Sequence, residues 1–249
     1  MNFELLLAQL QQAPQQGTPL FGIGYWILIG ATMLVSMLIS GTLKSRFQKY
    51  SQIPIRMTGA QVAEMMLRQN GINDVQVVSV PGQLTDHYDP RKKTVNLSEP
   101  VYHQNTVAAA AVAAHECGHA LQHQQAYAWL TMRSKMVPAV QLASGLTNIL
   151  MWMAILGAVA FSSQATIFIW VFLGAMGVTT LFSLVTLPVE FDASKRALAW
   201  LDRSGAVANM EHEKAKDALF WAAMTYVAAA VAAIAQLAYW AVMLLGRRD

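Results

Sequence analysis

The sequence predicts a mainly α-helical, polytopic membrane protein with four transmembrane helices and one small α+β domain. Three observations predict it. Hydrophobic residues make up 55% of the 249 residues and charged residues 12%, against about 25% charged in an average soluble domain. Four stretches reach the roughly 20 apolar residues that a bilayer crossing needs. The strand and hairpin signals all fall in one segment, between the first two of those stretches.

The spans are read at 20–43, 139–161, 165–187 and 218–245. Four uncharged runs of this length exceed what a soluble core buries. The first reads as a retained anchor. No Lys or Arg precedes it in the segment 1–19, where a polar, Gln-rich stretch at 9–19 replaces the basic region of a cleaved signal. Of the 17 Lys and Arg, ten lie between spans one and two and five between spans three and four. The "SSQ" turn between spans two and three has none. The positive-inside rule therefore expects both large loops in the cytoplasm and both termini outside. Arg247 and Arg248 in the tail weakly oppose this. The net charge of +3 and the lack of a basic stripe with interleaved aromatics exclude nucleic acid as a partner. A single cysteine, Cys117, excludes an internal disulfide framework.

The expected cytoplasmic domain spans 44–138. "TGAQVAEMMLRQNG" predicts a helix, with Thr58 and Gln61 as a capping box and Asn70-Gly71 as its stop. "VQVVSV" at 75–80 predicts a strand. "LTDHYDPRKKTVNLS" predicts a hairpin turning at Asp89-Pro90, with a second strand at 94–97. That second strand is expected to offer a free edge to an extended substrate. A helix follows from about Thr106 through His123.

That last helix carries "HECGHALQH". His115 and His119 are one turn apart on one face, so both imidazoles can reach one ion. Glu116 beside them can take a proton from water, the H-E-x-x-H arrangement of zinc proteases. The domain is thus expected to be zincin-like, with Zn2+ as cofactor. His123 lies two turns from His115, about 12 Å along the axis, too far to share the ion. His87, His103 and His212 have no supporting spacing.

A third ligand is needed. "LPVEFDASKRAL" supplies Glu190 and Asp192 where Pro188 is expected to end the third span, in the segment 188–217. Glu190 is either that ligand or a carboxylate favoured by a helix N-terminus. Asp192 either binds the metal itself or orients a ligating histidine. Arg196 is either an oxyanion donor or a basic residue at the membrane edge. His87 and Tyr88 either donate to the same oxyanion or sit in a solvated turn. Cys117 points off the histidine face and reads as packing.

"HECGHALQH", "LTDHYDPRKKTVNLS" and "LPVEFDASKRAL" together resemble the YugP-like zinc-dependent membrane peptidases of bacteria, over most of the chain from about Ser45 onward. The resemblance implies a neutral zinc metallopeptidase of the bacterial cytoplasmic membrane. It implies His115, His119 and Glu190 as ligands and Glu116 as base. The chain is more distantly similar to the HtpX-like and prenyl-protein proteases. In those an aspartate follows the ligating glutamate by four residues. Here that position is Ser194, with Asp192 as a possible substitute.

The reading is an endopeptidase acting on membrane or membrane-proximal proteins. Its partners are a protein or peptide substrate and the lipid bilayer, with homo- or hetero-oligomers of membrane proteins left open. The alternative is a membrane scaffold with a structural or vestigial zinc site; Glu116 argues against it, because a structural site needs no base. A transporter is disfavoured because no charged residue lies inside a span.

Overall fold

The computed structural model describes residues 22–156 and 165–245. The N-terminal segment 1–19, the start of the first span, the end of the second, the "SSQ" turn, Arg247 and Arg248 lie outside the described residues. Among the described residues, seven helices and three strands follow one another: α1 (Ile23–Tyr50), α2 (Gly59–Gln69), β1 (Gln76–Val80), β2 (His87–Asp89), β3 (Thr94–Ser98), α3 (Glu99–His103), α4 (Val107–Gln124), α5 (Ala128–Ile155), α6 (Ala165–Ser204) and α7 (Asn209–Leu245).

Four of these helices, α1, α5, α6 and α7, are long and apolar enough to cross a membrane. All four extend past the spans expected from hydropathy. At 1.5 Å per residue, α6 is about 60 Å long and α7 about 55 Å, against a bilayer core of about 30 Å. Their polar ends therefore stand clear of any apolar layer. The helix does not stop at Pro188 as expected. That proline lies inside α6, just as Pro138 lies inside α5. Proline removes one backbone donor, but packing on both sides of the break holds such a helix together. Val189, Ala193, Ala197 and Leu201, beyond the proline, are fully buried.

The shorter elements form as their local signals dictate. The Thr58 hydroxyl accepts from Gln61 N and the Gln61 side chain accepts from Thr58 N, closing the capping box of α2. Gly71 takes φ +73° past its end, where a side chain would be strained. Thr106 caps α4 through Ala109 N. The sheet order is β1-β3-β2, with β1 parallel and β2 antiparallel to β3. This corrects one expectation. β3 is the central strand, with Val95 and Leu97 fully buried, and so offers no free edge. Residues 76–80 pair along its other side. The edge strands are β1 and β2.

The alanine-rich half of α4 is the axis of the molecule. Small side chains from Ala108 to Ala114 let α2, the sheet and the ends of α6 and α7 close around it. Val62 and Met66 of α2, Leu97 of β3, Leu201 of α6 and Leu219 of α7 share this core. Burying each such side chain is worth roughly 1.5–3 kcal/mol. The sheet, α2 and α4 and the ends of the long helices are therefore one packed unit. Away from it, α1 exposes Trp26, Ile27, Met37 and Leu38, an apolar surface of the kind a lipid phase covers.

Candidate metal centre

His115 and His119 leave the same face of α4, their rings 4.8 Å apart and nearly perpendicular. Glu190 meets them from α6. Its Oε2 lies 3.3 Å from His115 Nε2 and 3.6 Å from His119 Nε2. One ligand atom from each of the three residues falls within 4.8 Å of the others. Glu190 is 2% exposed, and its Oε2 is buried with no hydrogen-bond partner. A buried carboxylate oxygen facing two imidazole nitrogens is costly as it stands. A cation at their common focus removes that cost. Two nitrogens and one oxygen, with one side facing a cavity, is a donor set of catalytic zinc sites, so the residues fit the ion.

Gly118 makes this meeting possible. A Cβ there would lie 2.5 Å from the carbonyl oxygen of Ala193. Only glycine lets the two backbones touch, and Glu190 lies one turn before that contact.

The far nitrogen of each imidazole is fixed. His119 Nδ1 is 3.0 Å from Gln122 Oε1. Gln122 Nε2 donates to the Val189 carbonyl and to Asp192 Oδ2, both at 2.8 Å. His115 Nδ1 is 3.1 Å from the Ser194 hydroxyl. With Nδ1 donating to these oxygens, each Nε2 presents its lone pair toward Glu190. Ser194 thus serves the histidine directly. The Asp192 carboxylate reaches His119 through Gln122. Burial opposes protonation of His119, but Glu190 and Glu116 outweigh it and hold that imidazole above its ordinary pKa in the metal-free chain.

A cavity of about 240 Å³ opens on the cluster. Glu116 lines it, together with Asp86, His87, Tyr88, Pro90, His123, Leu130, Arg133, Ser134 and Tyr226. His87 donates through Nδ1 to the Thr85 carbonyl at 2.7 Å. The Tyr88 hydroxyl is 3.0 Å from His123 Nδ1, which ties β2 to the end of α4. His123 takes no part in the cluster. Arg196 does not line the cavity. Its Nε donates to Asp192, its Nη1 to Gln125, and it lies over the Tyr127 ring. It straps α6 to the end of α4. Cys117 is buried against the Ala63 carbonyl, and burial pushes its thiol well above the ordinary range, as packing requires.

Sequence reasoning missed Arg133, Tyr226, Gln122 and Gly118. Arg133 Nη2 lies 3.9 Å from Glu190 Oε1, and its Nε is buried without a partner. In the sequence it reads only as a basic flank of the second span. Tyr226 reads only as one aromatic within the fourth.

The fold and the cluster define a chain with four helices long and apolar enough to cross a membrane and a His-His-Glu group fit to hold a metal ion. The chain belongs to the family described as "putative neutral zinc metallopeptidase", which it matches over residues 25–245; the metal of that family is zinc. It is 42% identical over 209 residues to the "Putative membrane protease YugP" of Bacillus subtilis strain 168, covering 83% of this chain and 90% of that protein. No solved structure matches it.

Proposed function

We propose that this protein is a zinc endopeptidase that hydrolyses peptide bonds of membrane or membrane-proximal proteins. Its site faces the cytoplasm from a bacterial cytoplasmic membrane, as the distribution of Lys and Arg favours. His115, His119 and Glu190 hold the ion. One observation carries the reading: buried Glu116 opens into the same cavity as all three. Zinc held there would supply a Lewis acid and lower the pKa of water at its open position. Glu116 is placed to take a proton from the attacking water and to pass it to the leaving amide nitrogen. Arg133 lines the same cavity, and its guanidinium is the donor to meet the negative oxygen that develops on the scissile carbonyl. β2 is the sheet edge beside the cavity, and an extended substrate pairs with it through main-chain hydrogen bonds. Tyr226 supports a membrane-proximal substrate. It lies eight residues inside the apolar run of α7, about 12 Å along the helix, and it lines the same cavity.

The test is zinc content and proteolysis measured together in detergent. Wild-type protein carries about one zinc per chain. Glu116→Gln keeps it and loses cleavage of an unfolded membrane-protein substrate. Full cleavage by that variant refutes the mechanism. A scaffold with a structural zinc predicts no cleavage by either protein.

A further inference from the structure

We propose that a groove between α6 and α7 binds one anionic phospholipid, of the phosphatidylglycerol type, at the membrane boundary. The groove holds about 420 Å³. Its walls include Phe191, Lys195 and Leu198 of α6 and His212, Lys216 and Phe220 of α7.

The helices run antiparallel from the turn at 205–208, and one contact sets their register. His212 Nε2 donates to the Leu198 carbonyl at 3.1 Å. Lys195 lies three residues from that contact and Lys216 four, both toward the apolar part of the hairpin. At 1.5 Å per residue these are about 4.5 Å and 6 Å. The two ammonium groups therefore leave opposite walls at one level. About one turn further in, Phe191 and Phe220 are 43% and 50% exposed, and the uninterrupted apolar run of α7 begins at Ala218. From water inward the groove presents a polar mouth, a basic pair and an aromatic flank. A phospholipid has the same order: headgroup, phosphate, acyl chains. Basic pockets between membrane helices bind anionic headgroups on this principle.

Two carboxylates face the site. Glu213 Oε2 is 3.6 Å from Lys216 Nζ, with both side chains more than half exposed. Such a pair is weak and leaves donors on the ammonium. Asp202 is four residues beyond Leu198 on the solvent side. There it accepts hydrogen bonds from the hydroxyls of a glycerol headgroup rather than facing the phosphate. Ser194 also lines the groove, and its hydroxyl is the partner of His115 Nδ1. An occupant therefore touches a residue that orients a zinc-site imidazole. The lipid site stands whether or not the metal site hydrolyses peptides.

The test uses the full chain in detergent, with bound lipid counted by native mass spectrometry. The titrants are phosphatidylglycerol, phosphatidylcholine and glycerol phosphate. One phosphatidylglycerol per chain is expected, outcompeting phosphatidylcholine. Lys195→Gln combined with Lys216→Gln weakens it about 30-fold, from roughly a factor of five per basic residue at a membrane surface. The pair Lys195→Arg and Lys216→Arg retains binding. Arg91→Gln with Lys92→Gln, in the exposed hairpin turn, leaves it unchanged. Equal retention of phosphatidylcholine, an unaffected glutamine pair or loss of binding in the arginine pair overturns the proposal. Glycerol phosphate binding as tightly as the lipid also overturns it, in favour of a simple phosphate site.

Discussion

Gly118 and Ala193 touch backbone to backbone. A Cβ on Gly118 would stand 2.5 Å from the Ala193 carbonyl oxygen and about 3.1 Å from its Cα. This contact sets the distance between α4 and α6, and so the distance from His115 and His119 to Glu190. The glycine between the two histidines is a spacer for the third member of the cluster.

Gly118→Ala must push the helices apart, because the obstacle is backbone and cannot rotate away. Overpacking of this kind costs about 1–3 kcal/mol. Zinc content and thermal midpoint in detergent are expected to fall together. Gly145→Ala in α5 is the control, since nothing lies within 4 Å of its added Cβ. It is expected to leave zinc unchanged. Full zinc in Gly118→Ala would mean that the contact does not set the site.

Arg133 gives a second prediction. Its guanidinium reaches toward Glu190 Oε1 and lines the same cavity as Glu116. If it meets the developing oxyanion, Arg133→Gln lowers kcat by about 10²–10³-fold, the loss typical of one such donor, with little change in KM or zinc. If it only steadies Glu190, zinc affinity falls instead and kcat recovers at saturating zinc. Zinc titration alongside steady-state kinetics separates the two.

The helix carrying His115, Glu116 and His119 was legible because its signals are local: an alanine-rich run and two histidines four residues apart; its cap at Thr106 and its end at Gln124 came from the structure. The hairpin was legible for the same reason. The strand order was not, because the parallel partner of residues 94–98 lies across a connection that no local pattern encodes. Pro188 misled because its cost is local while the packing that offsets it, through Val189, Ala193 and Leu201, is tertiary. Glu190 stood out as an acidic residue at the end of an apolar run. Arg133, Gln122 and Tyr226 are individually ordinary, and only the approach of α5, α6 and α7 to α4 gives them a role.

The last prediction concerns protons and zinc at one imidazole. In the metal-free chain, Glu190 and Glu116 raise the pKa of His119 against the effect of burial. The sign follows from linkage. A histidine whose folded pKa exceeds its unfolded value of about 6.5 adds stability that is fully present below that value. That stability is lost as pH rises through the folded pKa. Zinc reverses the dependence, because it needs the deprotonated ligand and competes with the proton. Metal binding therefore adds more stability as pH rises. Chelator-stripped and zinc-loaded protein should have similar thermal midpoints near pH 5.5, and the gap should widen from about pH 6.5 upward. His119→Ala should remove the gap at every pH, because it removes the ligand and the titrating group together. A gap that stays constant or narrows with rising pH would show that zinc and this proton do not share His119.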